Sequence, residues 1–560
     1  MSRGYYFVIP MQTATLAVGA PVSSLLDSCR NLASTLVVVG VGDGSVIAAI
    51  NADPGLSKKD IFVVALADEQ IPETTNPHMH SSRVTDWESA QEWVFNSFGA
   101  HESIIKLSGA DFVETHTLSE SADKLRRELW PRMTASLGDR AWSLGNDVND
   151  TFMGLHHAAL NAKAILPRPS LGDLAGSFGQ TPVISVGAGP SVKEHLEELR
   201  SLQNRVYIVA CDAIYPALVK EGIVADFVTP LERLRQQAQL CEAARGSRTI
   251  FAGIPACHPE TVRVFEDRAI YVHAMDRLYD WMAPEEKLRC ITGSSTGVLS
   301  FLVAASLTRG NVYLVGHDLA KGVDSDGKKE THFQGCDFAA NAHQKETANA
   351  GGFGANGYEA RMVPGNDGSL VESTMWWDTF RLEISTQAKL VPGRVFNVNA
   401  HTGKYARIEH TGASPLPDPA SLPRLPELRL TETSHGRYQH WRNRAMLLPE
   451  DCRRFIGSMD ALRVDLRAEW NAAPQAWKLD GLLARMTPDS GVSPGNASAF
   501  AYFLRSAFYN EQMRMCYRSR FFTNREQAFW HTMQSLDALA DALIKAVKTV
   551  QPCLEEIANG

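Results

Sequence analysis

A strand, a glycine turn and a helix follow one another at residues 181–199, and this pattern constrains the fold more than any other. An apolar run at 183–186 ends in Gly187-Ala188-Gly189-Pro190-Ser191, and apolar residues then recur at helical spacing. Ser191 and Glu194 have the spacing of a capping box, which predicts a helix that begins at Ser191. A glycine turn at a helix N-terminus leaves backbone N–H groups free for an anion. The turn is therefore a candidate site for the phosphate of a nucleotide.

Two features limit what kind of nucleotide site this turn represents. The dinucleotide fingerprint requires a third glycine, and Val192 stands at that position. The chain also lacks a Gly-Lys-Ser/Thr sequence after the turn, which argues against a P-loop. A tight turn between strand and helix, without any ligand, is the alternative interpretation.

Composition narrows the class of protein. A length of 560 residues predicts about three or four domains. The net charge of −8 gives no general attraction to nucleic acid, and no apolar run approaches the ~20 residues of a membrane span. The nine cysteines include no CxxC pair, which favours free thiols in a reducing cytoplasm over a structural zinc site. We therefore expect a cytoplasmic protein without membrane insertion, nucleic-acid partner or bound metal.

The chain divides into four segments by pattern. Residues 1–145 predict a small α/β domain whose glycine turn at 40–44 is structural, because Asp43 would repel a phosphate. Residues 146–412 predict a Rossmann-like central domain, and the proline-rich segment 413–428 predicts a linker. Residues 429–560 have helical periodicity throughout and predict an all-α domain. The expected fold class is α/β.

Short apolar runs alternate with helix-length segments in the central domain, and this alternation predicts a mostly parallel sheet with helices on both faces. The predicted strands are Val183–Val186, Val206–Ala210, Phe227–Thr229, Thr249–Ala252, Ile270–His273 and Val312–Val315. Ligands of such sheets bind at the carboxyl ends of the strands. The polar segment 321–370 is expected to be a long loop that folds over this edge.

Polar residues follow several of these strands. Asp212 comes after the second strand, where a Rossmann-like domain holds a ribose hydroxyl, although it could equally cap the following helix. Thr229 and Glu232 follow the third strand and are expected beside the same crevice.

A second candidate anion site precedes an apolar helix at 298–307. Hydroxyl side chains and glycines at a helix N-terminus favour an anion, although such a cluster is more often only a helix cap. The residues are Thr292, Gly293, Ser294, Ser295 and Thr296.

Groups suited to proton transfer follow the last predicted strand. His317 and Asp318 stand at its carboxyl end, and His332 lies in the polar loop. A histidine and a carboxylate at this edge are candidates for a general acid or base, and a core histidine with a capping aspartate is the alternative. The histidine spacing does not match a metal site.

Several motifs occur in one order along residues 145–410: NDVNDTFMGL, GAGPS, ADFVTPLER, ITGSSTGV, VGHDLA and NVNAHTGK. Together they resemble the motility-associated factor (Maf) flagellin glycosyltransferases. The N-terminal segment resembles that family only loosely, and the C-terminal helices hardly at all.

This resemblance implies transfer of a nonulosonic acid, such as pseudaminic or legionaminic acid, from a CMP-activated donor to Ser or Thr of flagellin. It implies that Gly187, Gly189, Pro190, Ser191 and Asp212 hold the nucleotide and that residues 292–296 line the donor. The acceptor hydroxyl needs a base, and their position at one strand edge and in its loop makes Asp318 or His332 the candidate, with His317 as an orienting partner or alternative base. The chain departs from the family where His317 replaces a frequent Gln and where Thr229-Pro230 replaces an acidic position. No permanently bound cofactor is implied.

Two other functions fit the same residues. The predicted sheet with its GAGPS turn also resembles archaeal pterin pyrophosphokinases, which use ATP and Mg²⁺. A non-catalytic protein that binds flagellin through the aromatic residues of 429–560 is the other alternative.

Overall fold

A computed structural model provides the fold of the chain. The residues that it describes are 13–14, 22–27, 29–31, 35–71, 73–98, 101–115, 117–142, 148–286, 288–292, 295–323, 329–330, 332–333, 336, 360–366, 368–399, 403, 408–410, 416–426, 428, 430, 435–470, 509, 512–513, 518, 521–522 and 524–559.

The chain forms two compact units. One contains Phe152–Asp451 together with Thr549–Gly560, and we call it the central unit. The other contains Gly4–Thr151 together with Cys452–Lys548, and we call it the second unit. The second unit therefore combines the N-terminal α/β segment with helices from the C-terminal part of the sequence. The predicted boundaries after residues 145, 412 and 428 stay predictions.

A five-stranded parallel sheet lies in the second unit, in the order β1-β5-β2-β3-β4. The apolar runs at 36–41 and 61–66 form two of its central strands, and all five residues of β2 are buried. Five helices belong to the same part of the chain. The strands are β1 (Thr13–Ala14), β2 (Thr35–Val39), β3 (Asp60–Leu66), β4 (Met79–Val84) and β5 (Asp111–Glu114). The helices are α1 (Val22–Asp27), α2 (Ser45–Ala52), α3 (Trp87–Phe98), α4 (His101–Leu107) and α5 (Glu120–Trp142).

The glycine turn between β2 and α2 is filled by a side chain of the protein. The Glu69 carboxylate accepts the backbone N–H groups of Val41 and Gly42, at 3.0 and 2.8 Å, and that of Leu66 at 2.8 Å. The N–H groups of Val41 and Gly42 are the ones that a phosphate bound at the turn would otherwise use. The prediction that this turn is structural agrees with this geometry.

An eight-stranded sheet forms the centre of the central unit, and all its pairings are parallel. Its strand order is β10-β9-β8-β7-β6-β11-β16-β17. The strands are β6 (Val183–Val186), β7 (Tyr207–Cys211), β8 (Phe227–Thr229), β9 (Ile250–Gly253), β10 (Ala269–Tyr271), β11 (Val312–Val315), β16 (Val395–Asn397) and β17 (Glu409–His410). All six predicted strands are present, within one or two residues at their ends, whereas β16 and β17 were not predicted.

The order of the strands places a crevice beside β6. The chain builds the sheet outward from β6 to β10, and β11 then pairs with the other side of β6. Such a reversal separates the loops that follow β6 and β11, and ligands of doubly wound folds bind there. The helices of this unit are α6 (Val148–Ile165), α7 (Leu196–Leu202), α8 (Tyr215–Lys220), α9 (Gln237–Cys241), α10 (Pro259–Val264), α11 (Arg277–Met282), α12 (Thr296–Leu307), α13 (Met375–Ala388) and α14 (His435–Ala445).

The segment 321–370 is more regular than predicted, which corrects the expectation of one long loop. Its described residues include β12 (Gly322–Val323) paired with β13 (Lys329–Glu330), and β14 (Ala360–Pro364) paired with β15 (Leu370–Thr374). Both pairs are antiparallel, so backbone hydrogen bonds stabilise strands that the polar composition did not indicate.

Helices dominate the C-terminal segment, as predicted. After α14 the chain forms α15 (Leu448–Trp470) and α16 (Arg525–Asn559). None of the helices that the structure describes combines the length and apolar content of a membrane-spanning segment.

The described part of the proline-rich segment lies against the central sheet's loops. Leu425 donates its N–H to the Asn204 carbonyl at 2.7 Å, and Arg205 Nη1 donates to the Leu422 carbonyl at 2.5 Å. A short 3₁₀ helix, Pro419–Ser421, interrupts the extended chain.

A buried arginine attaches α14 to the sheet's loops. Arg437 donates to the carbonyls of Leu166 and Arg168, at 3.3 and 2.6 Å, and pairs with the Asp173 and Glu286 carboxylates, at 2.9 and 3.5 Å. The side chains of Arg437 and Glu286 are each only 6% exposed. Removing one member of a buried ion pair leaves the other charge uncompensated.

We expect R437M to lower the stability of the protein by about 3–5 kcal/mol, because Glu286 would remain buried without its cation. The double variant R437M/E286Q should recover part of this loss. Thermal unfolding measures both effects, and R442M, an exposed arginine of the same helix, is the control. Equal melting temperatures for R437M and R442M would show that the pair contributes nothing.

Candidate functional site

The glycine turn after β6 is packed directly against the loop after β11. Gly187 and Gly189 donate their N–H groups to the carbonyls of Val315 and Gly316, both at 2.8 Å. A Cβ at Gly187 would lie 2.5 Å from the Gly316 oxygen. A Cβ at Gly189 would lie 2.6 Å from the same oxygen and closer still to the Asp318 carboxylate. Both glycines are therefore required by close contact between the two loops.

The helix predicted to begin at Ser191 does not form there. Residues Pro190–Glu194 form a 3₁₀ helix, and α7 begins at Leu196. Ser191 makes no capping contact. Its N–H donates to Asp318 Oδ2 at 3.0 Å, and its hydroxyl donates to Asn399 Oδ1 at 2.7 Å. The predicted helix start is wrong because contacts from distant strand ends replace the local cap.

Three N–H groups predicted to be free for a phosphate are therefore engaged within the protein. Those of Gly187 and Gly189 are bonded to carbonyls, and that of Ser191 is bonded to a carboxylate. A phosphate could bind the Ser191 N–H by displacing the Asp318 side chain. It could not reach the N–H groups of Gly187 and Gly189 in this way, because their acceptors are backbone carbonyls. Nucleotide binding by this turn stays a prediction, and Ser191 is its best-placed donor.

Asp318 occupies the centre of the crevice beside β6. It is 2% exposed, and its Oδ1 has no hydrogen-bond partner among the described residues. Burial raises the pKa of this carboxyl to about 6, although the Ser191 hydrogen bonds oppose the shift. The backbone carbonyl of Asp318 accepts the Gly403 N–H at 3.2 Å. The carboxyl is therefore fixed at Oδ2, whereas Oδ1 is buried and has no partner among the described residues.

A second group of predicted residues meets at the ends of β7 and β8. The Thr229 hydroxyl donates to the Thr296 carbonyl at 3.1 Å, which joins β8 to the start of α12. Asp212 is 1% exposed and accepts the Ala213 N–H at 2.7 Å. Burial raises the pKa of Asp212 to about 7, the Thr296 side chain lowers it, and the Glu232 charge raises it further. The structure therefore brings Asp212, Thr229, Glu232 and Thr296 together.

The N-terminus of α12 faces this group. Ser295 caps the helix, because its hydroxyl accepts the Val298 N–H at 3.2 Å. The helix packs on β6, β7 and β8, so its positive end lies at the carboxyl edge of the sheet. Thr292 is half-buried just before it. The predicted residues Gly293 and Ser294 lie outside the described residues.

His317 lies between the two groups, inside the protein. Its Nε2 is 2.9 Å from the Ser185 hydroxyl, which in turn lies 2.9 Å from the Ser300 hydroxyl. A Cβ at Gly187 would be 3.2 Å from its ring, and one at Gly297 would be 3.8 Å away. Burial lowers the pKa of His317 to about 4, so the ring is neutral at physiological pH. These contacts hold the His317 ring in place, which suits a residue that positions its neighbours.

The loop that contains His332 crosses the glycine turn, as predicted. Phe333 donates its N–H to the Ala188 carbonyl at 2.9 Å, and a Cβ at Gly322 would lie 2.8 Å from the Pro190 ring. The His332 ring packs edge-on against Trp377 of α13 at 6.3 Å between centroids. The described residues of the loop therefore cover Pro190 and Ala188.

Sequence reasoning did not identify two residues of the site, Asn399 and Arg381. Asn399 binds the Ser191 hydroxyl and the Gly316 N–H through Oδ1, and its amide donates to Asn397 Oδ1 at 2.6 Å. Its place in the NVNAHTGK motif was the only sequence feature that pointed to Asn399. Arg381 is a buried cation of α13 beside Gly403, and no sequence feature marked it.

No cluster of three or more His, Cys, Asp or Glu side chains with the geometry of a metal site occurs among the residues described. The seven cysteines whose side chains the structure describes are buried and belong to no disulfide.

Comparison with known proteins supports the predicted fold. Residues 156–324 match the family model "6-hydroxymethylpterin diphosphokinase MptE-like", which covers well under half of the chain. The solved structure of the MAf glycosyltransferase from Magnetospirillum magneticum AMB-1 is similar to this chain, with a TM-score of 0.57 and 14% identity. The similarity covers 98% of this chain and 86% of that one. No curated protein matches the chain.

These findings confirm the α/β, Rossmann-like fold class, and they support at the level of the fold the resemblance to Maf glycosyltransferases that the motifs indicated. The central segment also has the sequence character of the MptE-like family, so both resemblances stated from the sequence find support.

We expect G189A to destabilise the protein by about 1–3 kcal/mol, because the added Cβ collides with the Gly316 carbonyl and the Asp318 carboxylate. G297A is the matched control, since a Cβ there meets its nearest atom at 3.6 Å, an ordinary contact. Its stability should change by less than about 0.5 kcal/mol. Thermal unfolding of both variants decides the point, and equal losses would contradict the packing described for the turn.

The stability contributed by Asp318 should depend on pH. Its pKa is about 6 in the folded protein, above the ordinary aspartate value of 3.8, so the folded state binds the proton more tightly. This stabilisation is complete below pH ~4 and is lost as the pH rises through 6.

Wild type should therefore gain about 1 kcal/mol relative to D318N when the pH is lowered from 8 to 5. Melting temperatures of both proteins across this range test the sign. D43N is the control, because Asp43 is exposed and its pKa is lowered by hydrogen bonds to Ser45, so its contribution should be constant over the same range. A constant difference between wild type and D318N would show that the carboxyl does not titrate here.

Proposed function

We propose that this chain is a glycosyltransferase that moves a nonulosonic acid, of the pseudaminic or legionaminic type, from a CMP-activated donor to Ser or Thr hydroxyls of flagellin. The observation that carries the proposal is the extent of the fold similarity. The MptE-like family model stops at residues 156–324, whereas the similarity to the MAf glycosyltransferase extends over 98% of the chain. The similarity to the glycosyltransferase therefore extends over both units of the chain, whereas the MptE-like family model matches only part of the central unit.

The reaction breaks the bond between the sugar's anomeric carbon and the phosphate oxygen of CMP. The bonding electrons leave with the phosphate, and the sugar acquires oxocarbenium character. The acceptor oxygen attacks the same carbon and loses its proton to a base. The protein must therefore stabilise negative charge on the leaving phosphate and supply one proton acceptor.

The positive end of α12 and the Ser191 N–H are the groups proposed to stabilise the leaving phosphate. Both lie at the carboxyl edge of the sheet, on either side of β6. A helix N-terminus contributes roughly 1 kcal/mol to binding an anion, and up to about 2 in a partly buried site. Thr296, the first residue of α12, and Asp212 beside it would bind the nucleoside.

Asp318 is the base that the geometry favours. Its Oδ1 has no partner among the described residues, and a pKa of about 6 leaves the carboxyl ionised at neutral pH yet able to accept a proton. His317 is a weaker candidate because burial lowers its pKa to about 4 and its Nε2 is bonded to Ser185. His332 packs on Trp377 at the edge of the crevice and would approach the acceptor from above.

Flagellin is synthesised before export, so the proposal places the reaction in the cytoplasm. The helical part of the chain is the surface proposed to meet flagellin's own helices. The metal requirement of the reaction is left to experiment.

A second candidate function follows from the family model. The MptE-like match over 156–324 favours diphosphate transfer from ATP to a hydroxymethylpterin. Such an enzyme would require ATP and a divalent cation, and it would have no activity toward flagellin.

We expect unmodified recombinant flagellin to gain the mass of one or more nonulosonic acid residues when it is incubated with this protein and a CMP-nonulosonate. Intact-mass spectrometry measures the increments. D318N should abolish them, since Asn cannot accept the hydroxyl proton, while CMP binding measured by calorimetry persists. K389M, a change of an exposed charge just after α13, should transfer at the wild-type rate.

The outcomes separate the candidate functions. Increments with wild type and none with D318N support the transferase and its base. Diphosphate transfer from ATP to a hydroxymethylpterin, without any increment on flagellin, would establish the second candidate. Flagellin that co-purifies with the protein but never gains mass would indicate a binding protein without activity.

A further inference from the structure

One buried arginine at the carboxyl edge of the central sheet has an N–H group for which the described residues provide no acceptor. Arg381 of α13 is 8% exposed, and its Nη2 is paired with Asp378. Its Nη1 is buried, and no acceptor lies within hydrogen-bonding distance of it in the described part of the chain. Native proteins seldom leave a buried charged donor unpaired, because its desolvation is then uncompensated. An acceptor supplied from outside the chain would be favourable at this atom.

The position of Arg381 connects it to the crevice. Nη1 lies against the Cα of Gly403, and a Cβ there would be 3.5 Å from the Cδ and Cζ of Arg381. Gly403 in turn donates its N–H to the Asp318 carbonyl at 3.2 Å. Only glycine at 403 lets the guanidinium approach the backbone next to Asp318.

The charge of Arg381 is only partly compensated by its partner. The Asp378 side chain is 40% exposed, whereas that of Arg381 is 10% exposed. Solvent therefore screens the carboxylate more than the guanidinium, and a net positive potential persists on the buried side. The planar guanidinium has donors on both terminal nitrogens, so the Nη1 side can bind a second oxyanion while Nη2 keeps Asp378.

We propose that Arg381 binds an oxyanion of the substrate that reacts at Asp318, through its Nη1. The proposal rests on the proposed function in one respect, the identity of the donor. A CMP-nonulosonate has two groups with this chemistry, the phosphate and the sugar carboxylate, and either would satisfy the unpaired donor. Arg381 is thus a substrate-binding residue of the site.

Binding of two separate probes tests the proposal. CMP has the phosphate and no carboxylate, and free pseudaminic or legionaminic acid has the carboxylate and no phosphate. Calorimetry should show that R381M weakens one of these probes about tenfold or more. R381K should lie between R381M and wild type, since it keeps the charge without the planar geometry. K389M, which removes an exposed cation at the end of the same helix, should bind as wild type does.

Thermal unfolding separates binding from a purely structural role. Without a probe, R381M should melt no lower than wild type, because the substitution removes an unpaired buried donor and Asp378 is partly solvated. With a probe, the rise in melting temperature should be lost in R381M and retained in K389M. A structural role would instead lower the melting temperature of R381M and leave the rise unchanged.

Two results would overturn the proposal. One is that R381M binds both probes with the same affinity as the wild-type protein. The other is that the wild-type protein binds neither probe. If R381M does not fold, the same comparison is made with R381K. Loss of probe binding in R381M, together with no transfer to flagellin by wild type, would refute the proposed acceptor and leave the oxyanion site established.

Discussion

The hydrogen bond from the Ser191 N–H to the Asp318 carboxylate joins the two loops that border the crevice of the central sheet. It forms only because Gly187, Gly189 and Gly316 let those loops approach within contact distance. Gly316 has φ +67° and backs onto Val192, so a larger residue there would be strained and would collide. The same approach places Asn399 where it binds both loops. The positions of Asp318 and His317 follow from this packing.

The two α/β parts of the chain share one type of contact, with a different consequence in each. In each, a carboxylate of the protein accepts N–H groups of a glycine turn, Glu69 in the second unit and Asp318 in the central unit. Glu69 accepts three N–H groups, whereas Asp318 accepts one. A ligand anion would have to replace two charge-assisted bonds at the first turn, those from Val41 and Gly42, and one at the second. The turn after β6 is therefore the one suited to exchange a protein carboxylate for a substrate phosphate.

Local patterns predicted the parts of the fold that local forces decide. The strands β6, β8 and β11 begin and end at the predicted residues, because a strand buried on both faces is a continuous apolar run between turn residues. The helix start at Ser191 was wrong because Asp318, 127 residues away, takes the N–H that a local cap would use. β17 has only two residues, too few for a periodic signal, and the apolar run of β16 is limited to Val395 and Phe396. Sequence reasoning placed the correct residues at the sheet edge, but only the strand order shows that His317 lies behind the glycine turn and that Arg381 adjoins Gly403.

The proposed reaction gives the bond between Ser191 and Asp318 a second consequence. A donor phosphate that takes the Ser191 N–H must displace Asp318 Oδ2, since one N–H cannot serve two anions at full strength. The displaced carboxylate loses its hydrogen bond, and a second negative charge then lies beside it. Both changes raise the pKa of Asp318 above its value of about 6 in the free protein, which strengthens its affinity for the acceptor proton as long as the pKa stays near or below the ambient pH. Binding of the donor and activation of the base are then one event, which would keep the acceptor from being deprotonated before the sugar is in place.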